Sequence, residues 1–166
     1  MENYNYKKSN PPPKGKGQTE MEAIKLDFAV KQVENIQELQ SLYGIQFYLT
    51  AIWKDSRLKF SNLRPTLTHN QLSDSEESMV WTPPLVFEKT LGTHLFGIEH
   101  GAKIQVDRKS DGEPMPITSL HEGTWYDGSN TNLTMFQYFK FEHSCHFELN
   151  DYPFDSQQCE LKVSSL

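Results

Sequence analysis

Apolar and polar residues alternate along "IQFYLTAIW", residues 45–53, so that Phe47, Leu49, Ala51 and Trp53 fall on one face and Tyr48, Thr50 and Ile52 on the other. A period of two is the mark of a strand with one buried side. The same alternation runs through "KIQVDR" at 103–108 and through "NLTMFQYFKFEHSCHFEL" at 132–149, where Phe139, Phe141, His143, Cys145 and Phe147 share a face. Ser-Asp-Gly at 110–112 and Asp-Gly-Ser-Asn at 127–130 are turn signals between such runs. Several strands separated by turns, without βαβ alternation, predict an all-β sandwich or barrel. One stretch has another period. In "VKQVENIQELQSL", Val30, Val33, Ile36, Leu39 and Leu42 recur every third residue, which on periodicity alone predicts an amphipathic helix.

Composition narrows the picture in three ways. With 166 residues and 36% apolar content, one domain must build its core economically from ten Phe, seven Tyr and three Trp. A net charge of −6 argues against a nucleic-acid partner, because affinity for phosphate comes from Lys and Arg. No run approaches the roughly 18–20 apolar residues that span a bilayer. The opening "MENYNYKKSNPPPKGKGQTE" is nearly free of apolar side chains and lacks the apolar stretch of a secretory signal. Disorder is expected over residues 1–26, with the folded domain at 27–166.

The only two cysteines bracket "CHFELNDYPFDSQQC", residues 145–159. Paired, they would close a loop of about 15 residues, worth roughly 3 kcal/mol by loop-closure entropy. Two reduced, buried cysteines are the other reading of the spacing. Tyr152-Pro153 is a bond at which the cis isomer is accessible and typically marks a tight turn.

The content of the loop adds to its spacing. Tyr152, Pro153, Phe154, Asp155 and Gln158, set between Cys145 and Cys159 thirteen residues apart, resemble the signature loop of the Cys-loop receptors, the pentameric ligand-gated ion channels. "YLTAIWKDSRLKFSNL" is similar to the family's second strand and following turn, through Trp53, Asp55, Arg57, Leu58 and Phe60. "VWTPPLVFEKT" looks like its binding loop A, through Trp81 and Pro83, and departs at Pro84, where the family often has Asp. "YDGSNTNLTM" is similar to invertebrate members. The resemblance covers about residues 27–166.

The resemblance implies an immunoglobulin-like β-sandwich, C-terminally incomplete here, bonded through a Cys145–Cys159 disulfide. It turns the helical stretch into the end of a first strand and a loop, with Glu38 and Leu39 over the membrane domain. It implies a small-molecule, neurotransmitter-like agonist bound between neighbouring subunits of a homo- or hetero-pentamer. Tyr48 falls on the aromatic position of the second-strand binding segment, where a ring can take an ammonium on its face, and Thr50 lies two residues on. Many anion-conducting relatives have Arg where Thr50 stands, so an acidic ligand group loses that contact. Val86 and Glu88 are the pocket candidates around loop A. Tyr152, Pro153, Phe154 and Asp155, with Glu38 and Leu39, are the candidates for coupling to a pore. The full-length protein is expected at the plasma membrane, on its extracellular side, through a transmembrane domain that this chain lacks.

Other features have plainer readings. His143 and His146 flank Cys145, but three residues of spacing on a strand point to opposite faces, and a bridged sulfur does not ligate, so no metal is expected. No Ser-His-Asp pattern occurs, and the one His-x-x-His spacing is the His143/His146 pair just set aside, so neither an enzyme nor a cofactor is expected. Asn132-Leu133-Thr134 is a glycosylation sequon after a turn. The chain stops at "CELKVSSL", before the family's binding loops B, F and C and its four transmembrane helices, which suggests a partial domain from a truncation or an incomplete gene model. Alternatives are a secreted soluble relative without a pore and an unrelated disulfide-stapled adhesion sandwich.

Overall fold

A computed structural model describes residues 6–13, 23–61, 63, 69–91, 103–108 and 125–165. Among the described residues, ten strands and one short α-helix succeed one another: β1 (Lys25–Gln37), β2 (Leu42–Trp53), β3 (Lys59–Ser61), β4 (His69–Gln71), α1 (Asp74–Met79), β5 (Leu85–Phe87), β6 (Thr90–Leu91), β7 (Lys103–Arg108), β8 (Trp125–Asp127), β9 (Thr131–Ser144) and β10 (Val163–Ser165). The chain is all-β, the class that alternation predicts. The largest sheet has the order β1-β2-β9-β7-β4, with β6 also on β9, and two-stranded sheets pair β5 with β10 and β3 with β8. The turn signal at 110–112 lies outside the described residues.

Between residues 25 and 40 the helical period gives way to strand. β1 runs to Gln37, and one 3-10 turn follows at Glu38–Gln40. Val30, Val33 and Ile36 are all exposed, so their three-residue spacing does not mark a buried stripe. Asn35, at φ 50, sits between Val33 and Ile36. Asn tolerates this left-handed backbone, and such a residue inside a strand interrupts its alternation. Glu38 and Leu39 lie in that 3-10 turn, and both are exposed.

The chain divides into two compact units, of which the first comprises 1–27, 50–83 and 102–136. Its organising group is the carboxylate of Asp55, almost fully buried. Arg57 donates to it from Nε at 2.8 Å and Nη2 at 2.6 Å, and the Arg57 backbone N–H adds a third bond at 3.1 Å. A buried carboxylate needs this pairing, since desolvation of an unpaired charge is costly. Tyr6 joins the cluster: its hydroxyl donates to Asp55 at 3.3 Å and accepts from the Trp81 backbone N–H at 2.6 Å, and the Arg57 guanidinium lies 4.6 Å from its ring centre. Burial pushes the Tyr6 hydroxyl above the usual phenol range. Disorder was the expectation throughout 1–26; over 6–13 the structure instead attaches the segment, with Arg57 also donating to the Asn10 carbonyl and Lys8 to that of Ser78. β1, likewise, begins two residues ahead of the expected boundary at 27.

The turn after β8 belongs to the same unit. Asp127 accepts from the Ser129 backbone N–H at 2.8 Å, an Asx turn that leads into β9. Gly128 donates its N–H to the Leu58 carbonyl at 2.9 Å. A Cβ there would sit 2.0 Å from the Asp55 carbonyl oxygen, so only glycine fits. α1 is opened by a capping box in which Ser73 and Glu76 satisfy each other's backbone.

The second unit comprises 28–49, 84–101 and 137–166. At its centre is Phe47, fully buried, with four rings around it: Phe28 and Phe87 at 5.7 Å, Phe141 at 5.5 Å and Phe139 at 5.4 Å between centroids. From Phe47 onward β2 alternates: Phe47, Leu49, Ala51 and Trp53 are buried, while Tyr48 is exposed and Thr50 and Ile52 are half-buried; before it, Tyr43 to Gln46 are all buried. Of the face predicted on β9 and its extension, Phe139, His143 and Cys145 are buried and Phe141 and Phe147 half-buried.

Phe47→Ala removes the hub of a four-ring cluster and should cost about 3–5 kcal/mol, against less than about 1 kcal/mol for Tyr48→Ala one residue on. Urea unfolding of the two variants checks this difference. Equal costs would mean that Phe47 is not the organising contact.

Candidate functional site

Because β2 is fixed by Phe47 on one side, its other side is presented outward, and Tyr48 stands there 51% exposed. Tyr138 of β9 lies against it, ring centroids 5.2 Å apart. The Tyr138 hydroxyl donates to Gln46 Oε1 at 2.5 Å, and the ammonium of Lys31 on β1 sits 5.4 Å from the Tyr138 ring centre. Glu34 and Lys140 form an ion pair at 2.7 Å beside them. The Lys140 ammonium first, and then the Gln46 amide, hold the Glu34 carboxyl below the usual glutamate range. Three strands thus build a face with two tyrosine rings, two lysines and one glutamate.

The sequence reading selected Tyr48 on this face and missed Tyr138, Gln46 and Lys31. Tyr138 had a signal: the alternation that buries Phe139 must turn its neighbour outward. Nothing local marks Gln46 or Lys31, whose roles come from a partner 92 residues away in the first case and from another strand in the second. Thr50 occupies the Tyr48 side of β2 and is half-buried. Val86, moderately exposed, lies on β5, and Glu88 follows β5 with its backbone N–H donated to the Lys162 carbonyl at 3.0 Å. Among the described residues, neither joins Tyr48 through a hydrogen bond, ion pair or ring contact. In loop A, Trp81 packs edge-on against Trp53 at 6.2 Å, Pro83 is buried and Pro84 exposed.

The candidate coupling residues lie in the turn after β1 and in the disulfide-closed loop, both in the second unit. Cys145 and Cys159 are disulfide-bonded, Cα atoms 5.5 Å apart. The backbone N–H of Cys145 donates to the Ser41 carbonyl at 2.9 Å, which ties the disulfide to the turn after β1. From that turn Leu39 projects, 96% exposed, and Ser41, at φ 56, closes it by donating to the Glu38 carbonyl. Inside the loop, the Gln157 amide clasps both limbs: it accepts from the Glu148 N–H at 3.0 Å, donates to the Glu148 carbonyl at 2.8 Å, and also meets the Asp155 carboxylate. The tip is a turn held by Phe154 N–H on the Asp151 carbonyl at 2.8 Å, and it contains a cis Tyr152-Pro153 bond. Tyr152 and Phe154 project from it, the latter 93% exposed, while Asp155 is half-buried.

His143 and His146 separate as expected for alternating positions. His143 is buried, donates from Nε2 to the Glu160 carbonyl at 2.8 Å and meets Tyr43 edge-on; His146 is exposed. Asn132 is half-buried on β9 opposite Asp107, whose carboxylate accepts from the Thr134 hydroxyl at 2.5 Å. No helix among the described residues is long and apolar enough to cross a membrane.

An all-β chain with an outward aromatic pair and a disulfide-closed loop is a binding domain in general form. Comparison with known proteins gives its particular kind. The family described as the neurotransmitter-gated ion-channel ligand binding domain matches residues 1–166, further than the motifs at 27–166 alone, and the chain belongs to that family. It is 25% identical over 144 residues to gamma-aminobutyric acid receptor subunit beta-4 of Gallus gallus, over 86% of this chain and 24% of that protein. It is 24% identical over 142 residues to the gamma-aminobutyric acid receptor alpha-like protein of Drosophila melanogaster, over 86% of this chain and 17% of that protein. Ligand-gated ion channel 50 of Caenorhabditis elegans is 22% identical over 144 residues, 86% of this chain and 25% of its own length. The chain therefore spans at most a quarter of the length of these relatives.

The Glu34 pairing sets a pH dependence. Its folded pKa is depressed, so its contribution is present above the unfolded value, about 4.3 for an unperturbed glutamate, and is lost as pH falls through the folded value. A carbon-detected NMR titration of Glu34 should have its midpoint under that reference, and Lys140→Gln should raise it. A midpoint that Lys140→Gln leaves in place would remove Lys140 as the cause.

Proposed function

We propose that this chain is the N-terminal part of the agonist-binding domain of a neurotransmitter-gated channel subunit, with Tyr48 and Tyr138 as its aromatic contact to agonist. The supporting observation is the outward Tyr48–Tyr138 pair on a strand whose opposite face is buried around Phe47. Two adjacent rings with solvent access offer the electron-rich faces that attract an ammonium group. Thr50, Val86 and Glu88 complete the proposed contacts with the ligand. The ligand class is small and amine-bearing, in keeping with relatives whose names specify gamma-aminobutyric acid.

In the assembled receptor this domain lies outside the plasma membrane and takes its place in a homo- or hetero-pentameric ring. A closed ring of like subunits uses a heterologous contact, so each subunit presents two different faces to its neighbours. Glu38 and Leu39, with Tyr152, Pro153, Phe154 and Asp155, form the proposed coupling element. Its support is the Cys145–Ser41 backbone bond, which joins the turn after β1 to the base of the disulfide loop. Coupling requires that agonist favour one of two arrangements of this end, since a ligand shifts an equilibrium only by its differential affinity. Asn132 is the proposed glycan acceptor.

In the full-length protein, Tyr48→Ala and Tyr138→Ala should each shift agonist potency by about tenfold or more while surface expression holds, as expected for loss of a cation–π contact worth up to about 2 kcal/mol. Voltage-clamp concentration–response curves with surface labelling measure this. Unchanged potency at normal expression would return both rings to a structural role.

Phe154→Ala and Asp155→Asn should instead lower maximal current with much less change in equilibrium agonist binding. Radioligand binding and current recorded on the same cells separate the two quantities. Abolished assembly in both variants would make the tip structural, and normal current with normal binding would end its coupling role.

A further inference from the structure

Tyr6 does more than cover the Asp55 carboxylate. Its hydroxyl accepts from the Trp81 backbone N–H at 2.6 Å and donates to Asp55 at 3.3 Å, so one oxygen joins the turn after β2 to the start of the segment between α1 and β5. Burial keeps that hydroxyl protonated, as the double role requires. The N-terminal segment is fastened twice more around it: Arg57 donates to the Asn10 carbonyl at 2.9 Å, and Lys8 to the Ser78 carbonyl at 2.9 Å. Trp81 is buried, so its N–H must be met within the protein. Pro83 and Pro84, which follow, have fixed φ and no N–H, and each restricts the residue before it. The run from Trp81 to Leu85 is therefore stiff. Where it starts constrains where it ends, at Val86 and Glu88.

We propose that Tyr6 is a positioning residue for agonist binding: by holding the Trp81 N–H it fixes the start of this stiff run, and through the run the placement of Val86 and Glu88. This rests on the reading of those two residues as ligand contacts. The role of Tyr6 is indirect. A segment already held in its binding arrangement loses less freedom when ligand arrives, so a remote anchor raises affinity without touching the ligand. Without the hydroxyl, the Trp81 N–H loses its partner and the run can shift. Arg57 meanwhile still holds the Asp55 carboxylate through Nε, Nη2 and its backbone N–H. Loss of the hydroxyl therefore acts on local placement and spares the centre of the first unit.

Tyr6→Phe in the full-length protein tests this, because it keeps the ring beside Arg57 and removes only the hydroxyl. Hydrogen exchange read by mass spectrometry should quicken in peptides covering Trp81. It should hold in those covering Gly128, whose N–H bonds the Leu58 carbonyl in the same unit. The agonist probe is whichever of γ-aminobutyrate, acetylcholine, histamine and tyramine opens the wild-type channel most potently. Its potency on Tyr6→Phe should fall about threefold to tenfold, as for one lost hydrogen bond, with surface expression and maximal current unchanged. Unchanged potency overturns the inference, as does unchanged exchange at Trp81. A variant that never reaches the surface makes Tyr6 a folding residue and overturns it too. The double variant Val86→Ala, Glu88→Gln, measured alongside, keeps the two claims apart. If it shifts potency while Tyr6→Phe does not, the ligand contacts stand and the role of Tyr6 falls. If Tyr6→Phe shifts potency and the double variant does not, the route through β5 is wrong and the inference falls. If neither shifts it, or no probe opens the wild type, both claims fall.

Discussion

The packing of four rings on Phe47 is the constraint on which the rest of the second unit depends. A strand offers only two directions for side chains, so fixing one residue inward fixes the next one outward. Phe47 is held by Phe28 of β1, Phe87 of β5, and Phe139 and Phe141 of β9. That single commitment turns Tyr48 and Gln46 to the opposite face of β2. The same logic on β9, where Phe139 is one of the four, turns Tyr138 and Lys140 to meet them. The polar face is therefore the reverse side of the aromatic core, built by it without separate instruction.

Much of this was legible in the residues because it is local. Alternation over 45–53 depends on nothing outside the strand, and from Phe47 to Trp53 it is reproduced residue by residue in the burial of β2. The loop from Cys145 to Cys159 announced itself through spacing and content together. What stayed hidden is what two distant segments make between them. Gln46 accepting from Tyr138, or Lys31 above the Tyr138 ring, requires a register between strands that no window of one strand contains. The helical period of 30–42 misleads for a related reason: a strand at the sheet's edge leaves its apolar residues in the open, so their spacing is not selected by a core. Tyr6 is the same case at the N-terminus. Its surroundings are polar and proline-rich, and its partners Asp55 and Trp81 lie far along the chain.

The two units use different means of stabilisation for similar ends. The first centres on a buried carboxylate whose hydrogen-bonding capacity is met by Arg57 and Tyr6. Such a cluster is specific in geometry, because removing one partner leaves a buried charge exposed to the full cost of desolvation. The second centres on rings, which are tolerant in detail but demand volume. At its end, where rings no longer pack, a disulfide, a side-chain amide and a backbone bond to Ser41 take over the task of holding shape.

Leu39 and Phe154, almost completely bare on two turns of the second unit, carry a consequence for the behaviour of the molecule in a test tube. Large apolar side chains this open are seldom left against water without a partner surface. In plain buffer both side chains are open to other copies of the domain, and each is a point at which copies can adhere. Mild detergent, which coats both side chains, should keep the sample dispersed, and so should serine at both positions. Colloidal stability of the purified domain is thus lowered at side chains that contribute little to its folding.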